Sequence, residues 1–154
     1  MSSTREARIE RIAQLRDQRL KLAVRALEEA RALERRMQIE FNSAQSQRDR
    51  AERERRQLSV TGADIRSFLE AEEWLRSRTI EEEMCALRLR QARAQSDKSQ
   101  QRVKKAALEL RQLELLQERL KQARLVKENR RERAIEDEIG QRVAQRERAR
   151  KGEP

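Results

Sequence analysis

The sequence predicts an all-α protein: a long antiparallel two-helix coiled coil, folded as a helical hairpin, with an overhanging C-terminal helix. Three observations predict it. The 154 residues are 43% charged and 2% aromatic, with Ala, Glu, Lys, Leu, Arg and Gln dominant, a composition of coiled coils and long helices. Apolar residues recur at steps of three and four. Ser, Thr, Gly and Asp gather at one place, Ser59-Val60-Thr61-Gly62-Ala63-Asp64. Strands are excluded, because no run of β-branched or aromatic residues exists. So few aromatic and turn residues cannot build a broad core. Apolar side chains can be buried only along a narrow seam between helices.

The break fixes the topology. Gly62 is one of three glycines, and a chain reversal needs a residue free of steric limits. Thr61 and Asp64 stand three apart, as a helix N-cap and an acidic first-turn partner do. The expected organisation is one coiled-coil domain over 1–154, with helix one over 4–58, a turn at 59–64 and helix two over 65–148. The alternative is a kink in one continuous rod.

Helix one starts near Ser3 or Thr4. Its stripe reads Ile9, Ile12, Leu15, Leu20, Ala23, Val24, Leu27, Ala30, Leu33, Met37, Phe41 and Ala44. Beyond Ala44, Arg48, Ala51 and Arg55 fall where the seam should be, and Leu58 closes it. Residues 47–57 are therefore expected to be poorly packed and mobile. Arginine stems can still lie along a seam with their heads in water, so the helix need not break.

Helix two opens with the most apolar stretch: Ile65, Phe68, Leu69, Trp74, Leu75, Ile80, Met84 and Leu87. Cys85 is read as a small core residue on that stripe. Arg90 to Lys105 is polar. Apolar residues return from Val103 through Leu110, Leu113, Leu116, Leu120, Leu125 and Val126, then Ile135 and Ile139 before Gly140.

The two helices do not match in length. At about 1.5 Å per residue, helix two would be about 125 Å long and helix one about 85 Å. A fold at residue 61 brings Arg5 near residue 117. Residues from about 120 to 148 then overhang without an intramolecular partner. Between Lys121 and Lys151 stand eleven Lys or Arg against six Asp or Glu. An unpaired charged helix that keeps Leu125, Val126, Ile135 and Ile139 is a docking element. The alternative is a salt-bridged helix that docks nowhere.

Charge and residue types bound the chemistry. The net charge is +10, from 38 Lys and Arg against 28 Asp and Glu, and the signs are interspersed as on solvated helix faces. The absence of His removes the usual general base and the commonest metal ligand. A lone Cys85 has no His to activate it, cannot form an internal disulfide and cannot build a zinc cluster. No Gly-rich phosphate loop occurs. The sequence therefore predicts no enzyme, no cofactor, no metal and no small-molecule substrate. The N-terminus lacks the apolar run of a signal peptide, and no stretch approaches the ~18 apolar residues of a membrane span. A cytoplasmic location is expected.

The C-terminal third carries a more specific pattern: Leu116-Gln117-Glu118-Arg119, then Glu128-Asn129-Arg130, Asp137-Glu138 and Gln141-Arg142. In order and spacing, without a gap, it resembles the stalk proteins of type III secretion, the FliJ proteins of flagellar export and the YscO/SctO proteins of injectisomes. Gly62 followed by Phe68, Trp74 and Leu75 is similar to that family's glycine followed by aromatic and aliphatic positions. The motif covers roughly 116–142, and the architecture covers the chain.

The resemblance implies an antiparallel two-helix coiled coil like the central stalk of rotary ATPases. Its two ends would enter the hole of the hexameric export ATPase. Leu116, Gln117, Arg119, Glu128, Asn129, Asp137, Glu138, Gln141 and Arg142 match the family pattern. Leu125, Val126, Ile135 and Ile139 would be buried inside the ring, and Lys127, Arg130, Arg131 and Arg133 would meet acidic loops. The cytoplasmic domain of the export gate, a membrane protein, would contact Phe68, Trp74, Leu75 and Arg78. Arg78 departs from the family, which has an aliphatic residue there. Some members bind secretion chaperones, which are a further implied partner. The protein would then sit at the cytoplasmic face of the inner membrane through its partners.

Trp74 reads two ways from the residues alone: an exposed anchor, or a side chain packed over helix one between Met37 and Ala51. Two other functions stay open. A basic coiled coil could bind nucleic acid through phosphates with steep salt dependence, although the acidic residues dilute its charge and no aromatics interleave it. A coiled-coil scaffold is the other, with Arg48 and Arg55 in the seam arguing against a long homodimer.

Overall fold

The computed structural model describes residues 2–152. It is a helical hairpin of two long helices packed against each other, α1 (Ser2–Thr61) and α2 (Ile65–Arg150). Helix α2 is continuous through 90–105.

Three residues reverse the chain. Gly62 has φ +69°, the left-handed conformation that ends many helices and that a Cβ would oppose. The Ala63 N–H then donates to the Leu58 carbonyl at 3.3 Å, the six-to-one hydrogen bond of a Schellman cap. Asp64 Oδ1 accepts from the Ser67 N–H at 3.2 Å, which caps α2. Asp64 is thus the N-cap, and Thr61 is not. Thr61 is the last residue of α1, its hydroxyl donating back to the Gln57 carbonyl at 3.0 Å.

Gln18–Ala107 form one compact unit. Its seam keeps an unbroken alternation of three and four on both helices, the period of 3.5 that holds one face toward a partner. On α1 the row runs through Leu27, Ala30, Glu34, Met37, Phe41, Ala44, Arg48, Ala51, Arg55 and Leu58. On α2 it runs through Phe68, Ala71, Leu75, Arg78, Glu82, Cys85, Leu89, Ala92, Ser96, Ser99 and Val103. Short side chains are the most deeply buried, Ala51 and Ser99 at 2% exposure. Small residues facing large ones let the two helices interdigitate.

This row differs from the stripe expected from apolar spacing. Val24 and Leu33 are exposed, as are Ile65, Leu69, Ile80, Met84 and Leu87. Cys85 is buried, but on a different face from Ile80, Met84 and Leu87. The reason is that a seam follows one period along the whole helix, even where that period lands on Ala, Ser, Glu or Arg.

Residues 47–57 are not poorly packed. Ala51 is closed off, and the two arginines beside it are paired across the seam. Arg48 Nε lies 2.6 Å from Glu82 Oε2, and Arg55 Nη1 lies 3.4 Å from Glu72 Oε1. The Arg48 Nε–H is buried and does not point at its carboxylate, so charge more than a directed hydrogen bond holds that pair. Arg93 Nη2 donates to Gln38 Oε1 at 2.8 Å.

The second unit combines the residues up to Asp17 with those from Leu108 on. Ile9 is buried, and Ala13, Arg16, Leu110, Leu113, Gln117 and Leu120 are half-buried, while Ile12 and Leu15 are exposed. Arg16 Nη1 meets Glu109 Oε2 at 2.7 Å, and Arg124 Nη1 meets Glu6 Oε2 at 3.0 Å. The pairing therefore runs further along α2 than a fold at residue 61 implies. Centring the reversal on Ala63 shifts each partner by about one helical turn. Every residue from Lys121 through Gly152 is exposed.

Candidate partner-binding surfaces

The first surface is the end of α2. Beyond the Arg124–Glu6 ion pair every described residue of α2 is exposed, yet the stretch keeps large apolar side chains. Leu125, Val126, Ile135, Ile139 and Val143 are 46–56% exposed. Ile135, Ile139 and Val143 follow at steps of four and share a face. Val143 was not among the residues expected from sequence, although its step from Ile139 was the signal. The helix is held by local pairs, Arg142 Nη2 to Glu138 Oε1 at 3.0 Å and Arg124 Nε to Glu128 Oε1 at 3.9 Å, each contributing a few tenths of a kcal/mol.

The expected docking residues divide between two settings. Asn129, Arg130, Arg133, Asp137 and Gln141, with Lys127 and Arg131, are exposed on this unpartnered stretch. Leu116 and Arg119 are exposed beside the seam. Gln117 is half-buried and lines a small groove with Ile9 and Leu120. A larger open groove of about 550 Å³ lies where α1 begins, lined by Arg5, Glu6, Leu120, Ala123, Arg124, Lys127, Glu128 and Arg131. It joins the first turns of α1 to the start of the unpartnered stretch.

The second surface surrounds Trp74, which is 53% exposed. The Arg78 guanidinium carbon sits 4.5 Å from the centre of its ring, within the reach of a cation–π contact. Arg78 Nη1 donates to Gln47 Oε1 at 2.8 Å, which fixes the guanidinium over the ring. Gln47, Arg50, Glu54, Trp74 and Arg78 line one open groove. One ring face is therefore covered by Arg78, and about half of the residue meets solvent. Phe68 and Leu75 lie on the seam, half-buried, and do not join this groove. Gln47 was not expected from sequence, since nothing local links it to a residue 31 positions away.

Burial pushes the Cys85 thiol above its ordinary range, and the neighbouring Glu81 carboxylate adds to this. A raised value disfavours the thiolate, the reactive form of the side chain. Among the described residues no three His, Cys, Asp or Glu side chains converge as a metal ion would need.

Fold and surfaces together define a class: a helical hairpin with an exposed basic terminal helix and a half-exposed tryptophan. No family model matches the chain, and neither a curated protein nor a solved structure matches it.

Proposed function

We propose that the protein is a non-enzymatic central-stalk component of a bacterial type III protein export apparatus, flagellar or injectisome. Its unpartnered α2 end, with the start of α1, enters the hexameric export ATPase. The Trp74 surface meets the cytoplasmic domain of the export gate. These contacts hold the protein at the cytoplasmic face of the inner membrane. Among the described residues no helix is itself long and apolar enough to cross one.

One observation carries this reading. From Lys121 on, every described residue of α2 is exposed, and five large aliphatic side chains there stand about half in water. Covering each remaining half is worth about 1 kcal/mol. A ring that encloses the helix would supply that cover from several directions at once. The exposed Lys127, Arg130, Arg131 and Arg133 suit acidic loops lining such a ring. The resemblance over 116–142 supports the same partner.

Co-elution with the hexameric export ATPase tests the reading. The intact chain is compared with one stopped after Arg124, which retains the Glu6–Arg124 pair. The intact chain is expected to co-elute and the shortened chain to elute alone. Failure of the intact chain to bind would end the proposal.

A further inference from the structure

The outer face of α2 between Glu73 and Lys98 has features that the hairpin does not use. Ile80, Met84 and Leu87 are 53%, 46% and 50% exposed. Steps of four and three place them in one row, on the side of α2 away from the buried Cys85 and Leu89. The row stands where the sign of charge changes. From Glu70 to Glu83 there are six Glu and two Arg; from Arg88 to Lys105 there are seven Lys or Arg and one Asp.

Some of these charges are used within the chain. Glu72 pairs with Arg55, Glu82 with Arg48, and Arg93 with Glu34. Glu73, Glu83, Arg88, Arg90 and Lys98 make no ion pair among the described residues. Those five are exposed, while Glu81 is half-buried and its Oε1 accepts from the Cys85 thiol at 3.9 Å.

We infer that this face is the interface of a homodimer, in which α2 of a second copy lies antiparallel across it on a twofold axis between Met84 and Leu87. Such an axis sets Met84 of each copy against Leu87 of the other. On one flank Glu83 meets Arg90 of the second copy, and on the opposite flank Glu81 meets Arg88. Further out, Glu73 meets Lys98. Every contact occurs twice, as an isologous interface requires.

The occupant is a second copy because the charge pattern complements its own reverse. A parallel copy in register would set Glu73 against Glu73 and Lys98 against Lys98. An external polyanion would be drawn to the basic run but repelled by Glu81 and Glu83, and would leave the aliphatic row in water. The aliphatic row is short, so association is weak and weakens further with salt. The interface shares no residue with the unpartnered end of α2. Because Trp74 adjoins Glu73 on the Glu81 flank, self-association is measured without any export component, so that its failure and the failure of the export reading are distinguishable.

Sedimentation equilibrium of the full chain tests it. The expected result is a rise from 18.3 kDa toward twice that mass across the micromolar range at low salt. Glu83→Arg and Arg90→Glu should each weaken self-association about tenfold or more, with helicity unchanged. Mixed together, those two variants should associate with each other, because each supplies the charge the other lacks. Met84→Asn should abolish association without touching the charge pattern. A monomer mass at every concentration overturns the proposal. So does a mixture of the two charge variants that associates no better than either alone.

Discussion

Arg48 Nε stands 2.6 Å from Glu82 Oε2 on the line between α1 and α2, where a coiled coil ordinarily places aliphatic side chains. The pair carries the seam across a stretch that has no large apolar residue to offer on α1. Glu82 is the more enclosed partner, its side chain 19% exposed. Arg48→Ala should therefore lower stability by about 1–3 kcal/mol, because it leaves a half-buried carboxylate uncompensated. Replacing both with Leu should recover most of that loss, since apolar pairs often replace buried ion pairs without cost. Urea midpoints read by circular dichroism decide it. A single variant as stable as the parent would show that the pair contributes nothing.

Ala51 makes the same point with volume. It is nearly sealed between the helices, so Ala51→Leu should overpack the seam and cost about 1–3 kcal/mol. Ile39, larger and more apolar, is exposed, and Ile39→Ala should change stability by under about 0.5 kcal/mol. Thermal melts of both variants check the contrast. Its reversal would mean that the seam follows the apolar stripe and not the alternating row.

The glycines should part company. Gly62 holds a positive φ, so Gly62→Ala should cost about 1 kcal/mol. Gly140 lies inside α2 with nothing within 4 Å of an added Cβ. Gly140→Ala should strengthen the helix locally by about 0.5–1 kcal/mol. Because that stretch is unpartnered, the gain should appear as slower amide exchange around residue 140 and leave the main unfolding transition unchanged. Equal effects of the two substitutions would contradict the cap geometry.

Asp64 gives the turn a pH dependence. Hydrogen bonding from Ser67 holds its carboxyl below the ordinary value of 3.8. A depressed folded value means that its contribution is complete above pH 3.8 and fades as pH falls through the lower folded value. Asp64→Asn keeps a capping oxygen without the titration. The gap in melting temperature between parent and variant should therefore change below pH 3.8 and stay flat above it. A gap that does not move with pH would remove Asp64 from the cap.

Trp74 is the only tryptophan, so its fluorescence reports one surface. Half exposed, it should emit as a largely solvated indole. Binding of the export gate's cytoplasmic domain should shift the emission to the blue, and Arg78→Ala should change the starting spectrum by uncovering the ring face. Binding without any spectral change would place that contact elsewhere on the chain.

The sequence made the hairpin legible because one cluster of turn residues interrupts a composition suited only to helices. The seam was less legible. Ala13, Arg16, Glu34 and Ser96 look like surface residues, and only the period running through them marks the line. The partners Arg48 and Glu82 lie on different helices, so neither carries a local sign of the other. Thr61 was read as a cap because an acidic residue follows three positions on, yet the left-handed Gly62 ends α1 at Thr61 and leaves Asp64 to start α2. The exposed end of α2 was legible from helix lengths alone, with its start displaced by the register. The covering of Trp74 by Arg78 was not, since it depends on Gln47 reaching across from α1.

The most direct measurement for the stalk reading is the turnover rate of the purified hexameric export ATPase at moderate salt. It is measured alone, with the intact chain, with the chain stopped after Arg124, and with Ile135→Asp combined with Ile139→Asp. The stalk reading predicts stimulation by the intact chain and little or none by the other two. Rates that the intact chain does not raise, together with tight, steeply salt-dependent DNA binding, would contradict it.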